Sequence, residues 1–285
     1  MTDSGRSLLY LHGSVLLFGG TALFSKLIQL PALEITVYRC AIAAIFLASM
    51  LALTGKKIRL SNAKDYVIAL ILGVIVGFHW VTYFQAMQLA GVAIGIIALF
   101  SFPVMTVVLE PLFNKHLPKG ADLLAAVIVM GGIVLMIPSA SLGNDVTLGI
   151  LTGLFSALLY TLRNIFHKRL FSRYSGPQAM CYQTIVAAVV LSVFIEIPPL
   201  QVDSHNWMLL ALLGIVFTAV PHAMVAESLR KIPAKTVGLV SCLQPLYGTL
   251  AAIWILQEYP SLTTIIGGSL VIAAAIWETW QAQKA

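Results

Sequence analysis

Almost the whole chain divides into apolar stretches long enough to cross a lipid bilayer, joined by short connections. A hydrocarbon core ~30 Å thick takes about 20 apolar residues per helix. Ten such stretches follow one another, at approximately 8–29, 32–53, 66–87, 91–113, 121–138, 147–168, 177–197, 207–229, 235–256 and 261–281. Pro31, the run Gly55-Lys56-Lys57-Ile58-Arg59, the run from Asn114 to Lys119 and the pair Pro198-Pro199 mark breaks between them. Only 10% of the residues are charged, against roughly 25% in a soluble domain. Such a chain lacks the polar surface to coat a globule, and the bilayer is its expected solvent. The expected fold class is therefore an all-α integral membrane protein of ten transmembrane helices.

The net charge of +6 does not point to nucleic acid, because the cations are sorted by connection. Alternate connections, counted from the N-terminus, hold 14 of the 17 Lys and Arg residues, and the other five connections hold none. The remaining three, Lys26, Arg39 and Arg163, fall inside apolar stretches. Positive charge collects on the cytoplasmic side of a membrane protein, so both termini are expected in the cytoplasm. The first stretch is too long for a cleavable signal and is expected to stay as a span. Cys40, Cys181 and Cys242 are scattered singly, without a C-x-x-C spacing. That argues against disulfides and a metal site, and for small packing residues.

The chain also repeats itself. Pro103 and Pro245 share an offset of 142 residues (245 − 103) with the pairs Phe24 and Phe166, Lys26 and Lys168, Gln85 and Glu227, and Pro118 and Pro260. Two repeats of five spans follow, at 8–138 and 147–281, with their seam between Ser139 and Val146. Five is odd, so the second copy enters the membrane inverted. Inverted repeats with interrupted helices at matching places are the pattern of secondary transporters that bind solute at the repeat interface. Pro103 and Pro245 are accordingly candidate hinges.

Ionisable groups inside a span cost roughly 2.5–3.5 kcal/mol each on an insertion scale and so mark places to inspect. His79, Trp80 and Tyr83 form one patch of imidazole, indole and phenol on the third stretch, suited to a cavity wall. His222 occupies nearly the matching place in the eighth, after Pro221, whose ring frees a carbonyl that a neighbour or a cavity must satisfy. Ser156, Tyr160 and Asn164 make a polar stripe on the sixth. Ser101 and Gln244 are polar neighbours of the two matched prolines. Arg163 is close enough to the cytoplasmic end to snorkel. Lys26, Glu34 and Arg39 are expected to form an outer ion-pair network, Glu110 to pair with Lys115 or Lys119, and Glu227 with Arg230 or Lys231. Trp207, Trp254, Trp277 and Trp280 fall near stretch ends as interface anchors. The pairs Gly19-Gly20, Gly131-Gly132 and Gly267-Gly268 suit close helix contact.

Ten spans in two five-helix halves, Tyr38-Arg39 in the second and Leu109-Glu110-Pro111 in the fourth resemble the EamA branch of the drug/metabolite transporter superfamily. The resemblance covers about 8–138 and 147–281. It implies an inner-membrane permease whose helices 1, 3, 4, 6, 8 and 9 surround a central cavity, with His79, Tyr83, Ser101, Tyr160, Asn164, His222 and Gln244 near it. The small multidrug-resistance relatives exchange protons through a carboxylate in their first helix. Here that place reads Val15-Leu16-Leu17-Phe18-Gly19-Gly20, which argues against proton-coupled export of cationic drugs by that route.

The function expected is secondary transport by alternating access, with export of amino acids or similar neutral or zwitterionic solutes, and import of a vitamin or nucleobase-like solute as the rival. The substrate-binding set is His79, Trp80, Tyr83, Ser101, Tyr160, Asn164, His222 and Gln244. No catalytic residue, metal or cofactor is expected. Neither a Gly-x-Ser-Gly nucleophile setting nor a buried Asp pair occurs, which argues against an intramembrane enzyme. The partners expected are a small-molecule substrate and the lipid bilayer, with a coupling proton as one candidate driving ion; monomer and homodimer both stay open.

Overall fold

A computed structural model describes residues 3–113, 115–118, 120–136, 144–229 and 240–281. The first half holds α1 (Asp3–Thr21), α2 (Phe24–Leu27), α3 (Ala32–Leu53), α4 (Ala63–Ala90), α5 (Val92–Leu99), α6 (Phe102–Phe113) and α7 (Gly120–Met136). The second holds α8 (Asp145–Phe166), α9 (Gly176–Leu191), α10 (Ser204–Gly214), α11 (Val220–Leu229), α12 (Gln244–Ala251) and α13 (Leu262–Gln281). Wider π turns extend α8 (His167–Phe171), join α10 to α11 (Ile215–Ala219) and extend α12 (Ala252–Leu256). Every one of the ten apolar stretches holds helix. Among the described residues, six runs are long and apolar enough to cross a membrane: Ala32–Leu53, Ala63–Ala90, Val92–Phe113, Asp145–Phe171, Gly176–Phe194 and Ser204–His222. Shorter apolar helices occupy the fifth, ninth and tenth stretches.

The helix starts follow from local chemistry. The Asn144 side chain accepts from the Val146 N–H at 2.8 Å, and Asp203 accepts from the Asn206 N–H at 2.9 Å, each satisfying a donor that the first turn leaves open. Gly91, at φ 90°, turns the chain sharply from α4 into α5, a conformation open to glycine. The outward faces stay apolar: Ile45 is 69% exposed, Val127 67% and Trp254 80%. A surface of this kind is stable against lipid tails and unstable against water.

The packing partners come in pairs that exchange the two halves. α4 packs on α8 as α11 packs on α1, and α5 packs on α8 as α12 packs on α1. α3 meets its counterpart α9, and α7 meets its counterpart α13. The helix interruptions obey the same exchange. The fourth stretch is broken at Phe100-Ser101 and the ninth at Cys242-Leu243, positions related by the offset of 142 that relates the prolines (242 − 100). Pro103 and Pro245 each sit in the first turn of the half-helix that follows, where the missing N–H has no intrahelical partner to lose.

Candidate functional site

Between the two halves lies a cavity of about 440 Å³. Its floor and walls come from broken or widened helices as well as regular ones, which is where backbone can be polar inside a membrane protein. From the first half, α4 contributes His79, Trp80 and Tyr83, α3 contributes Arg39, and the interruption between α5 and α6 contributes Phe100, Phe102 and Pro103. From the second half, α8 contributes Tyr160 and Arg163, the π turn contributes Phe217 and Thr218, and His222 and Gln244 complete the wall.

His79 is the hub. Its Nδ1 lies 2.8 Å from Ser156 Oγ, whose hydroxyl donates to the His79 carbonyl at 2.8 Å. The imidazole stacks on Tyr160 with ring centroids 4.9 Å apart and leans on Tyr83 at 6.2 Å. His222 is held with Nδ1 2.6 Å from the Thr218 carbonyl and meets Phe18 edge-on at 4.9 Å. The carbonyl that Pro221 frees is that of Phe217, four residues back. The Thr21 hydroxyl of the opposite half donates to it at 3.0 Å.

Not every expected residue reaches this wall. Ser101 bonds the Ala98 carbonyl at 2.8 Å and borders a separate apolar crevice of about 430 Å³ between α6, α7 and α8. The Asn164 side-chain oxygen is occupied by Arg163 Nη1 at 3.0 Å. Pro245 is buried outside the cavity lining. Other expectations are corrected more strongly. Lys26, Glu34 and Arg39 form no ion-pair network: Lys26 donates to the Gln88 carbonyl at 2.9 Å, and Glu34 accepts from the Glu196 and Ile197 N–H groups. Arg163 does not snorkel; its Nε donates to Gln183 Oε1 at 2.9 Å beside the cavity. Glu110 pairs with Lys168 at 3.0 Å, the cation from the other half. The Glu227 side chain lies outside the described residues.

Arg39 and Arg163 are thus the charged wall residues that sequence reasoning missed, alongside apolar ones such as Phe100, Phe102 and Phe217. Their positions within the apolar stretches told their depth along the bilayer, and depth alone suggested an outer cluster for one and an inner anchor for the other. Rotation about the helix axis decides the matter. Arg39 lies on α3 three residues after Thr36, and both are buried, at 1% and 0% exposure. The spacing of these two polar residues on one helix face was the signal available in the sequence.

The EamA-like transporter family model matches this chain twice, at residues 5–137 and 147–279. The uncharacterised transporter YxxF of Bacillus subtilis (strain 168) is 24% identical over 81% of this chain and 76% of its own length. The threonine/homoserine exporter RhtA of Escherichia coli (strain K12) is 24% identical over 93% of this chain and 88% of its own. An S-adenosylmethionine uptake transporter of Rickettsia conorii is 22% identical over 90% and 86%. A crystal structure aligns with a TM-score of 0.68 over 98% of this chain and 99% of its own at 17% identity, a likeness of fold. With a family match across both halves, the chain belongs to the EamA-like transporters of the drug/metabolite transporter superfamily, and it is a multi-pass membrane protein.

Proposed function

We propose that this chain is an inner-membrane secondary transporter, with both termini cytoplasmic, that exports amino acids or similar small zwitterionic or neutral solutes by alternating access. The observation that carries this proposal is the 440 Å³ cavity walled by both halves at once, since rocking one half against the other would expose such a space to each side in turn. Its substrate wall is His79, Trp80, Tyr83, Tyr160, His222 and Gln244. The exporter RhtA supports the direction and the solute class. The uptake transporters for S-adenosylmethionine support the second choice, import of a larger solute with a planar base, for which the stacked His79, Tyr160 and Tyr83 rings are suited.

The test is counterflow in proteoliposomes with labelled threonine, homoserine, phenylalanine and S-adenosylmethionine, with and without a pH gradient. Accumulation of an amino acid against its own gradient, lost in His79→Ala/Tyr83→Ala while membrane insertion is retained, is expected. Absence of exchange for every amino acid, or full exchange in that double variant, would remove the proposal or its wall. Dependence on the pH gradient would assign the coupling proton.

A further inference from the structure

The cavity is lined by two guanidinium groups, and among the described residues neither is paired with a carboxylate. Their states differ. Arg163 is spoken for: Nε donates to Gln183, Nη1 to Asn164, and Nη2 reaches Met180 Sδ at 3.4 Å. It supplies positive potential with each of its three nitrogens already engaged. Arg39 is 1% exposed, and its Nε and Nη2 have no hydrogen-bond partner. Its guanidinium carbon lies 4.3 Å from the centre of the Trp80 ring and 4.7 Å from that of Phe84, so aromatic groups fix the plane of the fork.

Nε and Nη2 form one edge of the guanidinium, with parallel N–H bonds at the spacing of the two oxygens of a carboxylate. The edge left without a partner, buried beside the cavity, is therefore the one that recognises a carboxylate in two-point fashion. A water molecule could accept from one of these N–H groups, but it would leave the charge uncompensated. An anionic group answers both deficits, hydrogen bonding and charge, together.

We propose that Arg39 is the carboxylate receptor of the transport site, and that solutes of this protein carry a carboxylate on an apolar or aromatic body. The carboxylate takes the Nε and Nη2 edge, and the body lies against Phe100, Phe102, Tyr160 and Phe217. The proposal rests on the transport cavity named above and narrows its substrate class. Amides, esters and bases without an acid group are excluded.

Isothermal binding to the purified full-length protein tests it, using matched probes: L-phenylalanine against L-phenylalaninamide, L-threonine against L-threoninamide, and 3-phenylpropionate against 3-phenylpropionamide. At least one acid is expected to bind about tenfold or more tightly than its amide. Arg39→Gln should abolish that preference, and Arg39→Lys should keep only part of it, since an ammonium retains charge without the fork. Amides binding as tightly as acids, no saturable binding of any acid, or an unchanged preference in Arg39→Gln overturns the proposal. Where Arg39→Gln fails to fold, Arg39→Lys carries the assignment to Arg39, and amides binding as tightly as acids in the unaltered protein still overturn it. Binding of 3-phenylpropionate alone, without amino-acid exchange, would sink the amino-acid assignment and leave the carboxylate receptor standing. Amino-acid exchange that persists in Arg39→Gln would do the reverse.

Discussion

His79 and Ser156 exchange two contacts across the boundary between halves, one through the serine hydroxyl to the His79 carbonyl and one through Oγ to Nδ1. Both groups are buried, and deleting the hydroxyl removes a hydrogen bond to the His79 carbonyl and leaves Nδ1 with the Ser156 carbonyl alone, at 3.1 Å. Ser156→Ala should lower stability by about 1–2 kcal/mol, read as a lower melting temperature in detergent. Ser269→Ala is the control. That hydroxyl bonds only its own helix, to the Ile265 carbonyl, and should change stability by less than about 0.5 kcal/mol. Equal melts for the two variants would show that the His79–Ser156 pair does not hold the halves. The patch around His79 was legible in the sequence because His79, Trp80 and Tyr83 recur within one turn of a single helix. Its partner Ser156 was visible as part of a stripe, but which residue the stripe faces depends on where α8 lies against α4. The two arginines were misjudged for the same reason: spacing along a helix shows that residues share a face, and only tertiary packing shows what that face meets.

At the scale of elements, the matched prolines mark helix starts. The sequence reading takes Pro103 and Pro245 as candidate hinges in interrupted helices. The chain stops at Phe100-Ser101 and Cys242-Leu243 and begins again, with proline in the opening turn after each break. Serine assists the first break by bonding back to Ala98 through both its N–H and its hydroxyl. Glycines decide a different feature, the crossing of α7 and α13. A Cβ added to Gly132 would lie 2.6 Å from the Gly267 carbonyl oxygen, and one added to Gly267 would lie 2.2 Å from that of Gly132. These obstacles are backbone and cannot swing aside, which is how small residues let membrane helices approach. Gly132→Leu should therefore separate the two helices, at a cost of about 1–3 kcal/mol, seen as loss of the monodisperse peak on size-exclusion chromatography and a lower melting temperature. Gly131→Leu should be tolerated, since nothing lies within 4 Å of its added Cβ. Equivalent behaviour of both variants would refute the close crossing. The glycine pair was legible, but not which member of it touches.

The whole molecule is organised by exchange between halves, and ties across that boundary cluster on the side where Lys and Arg are concentrated. Asp65, at the start of α4 and fully buried, accepts from Arg173 and from the Tyr174 hydroxyl, both beyond α8. Lys168 and Glu110 make a second tie nearby. On the far side the contacts are mainly to backbone: Tyr38 donates to the Ile197 carbonyl, and Asn206 accepts from the Gln29 N–H. A charged side that closes by ion pairs and an opposite side that closes by backbone contacts give the two faces different opening costs. This arrangement is the one expected of an inverted repeat, in which an odd number of spans per half would send the segment around Asn144 to the face opposite the termini. Single cysteines at exposed Asp145 and exposed Lys57 test it in intact cells with a membrane-impermeant maleimide. The native Cys40 and Cys181 are buried and should stay silent, and Cys242, which borders the cavity, is replaced by serine in both variants. Asp145→Cys is expected to react from outside, and Lys57→Cys only after the membrane is opened. Reaction of both from the same side would mean that the first half crosses an even number of times. The copies would then run parallel, and the cavity between them would lose the symmetry by which the two sides are exposed in turn.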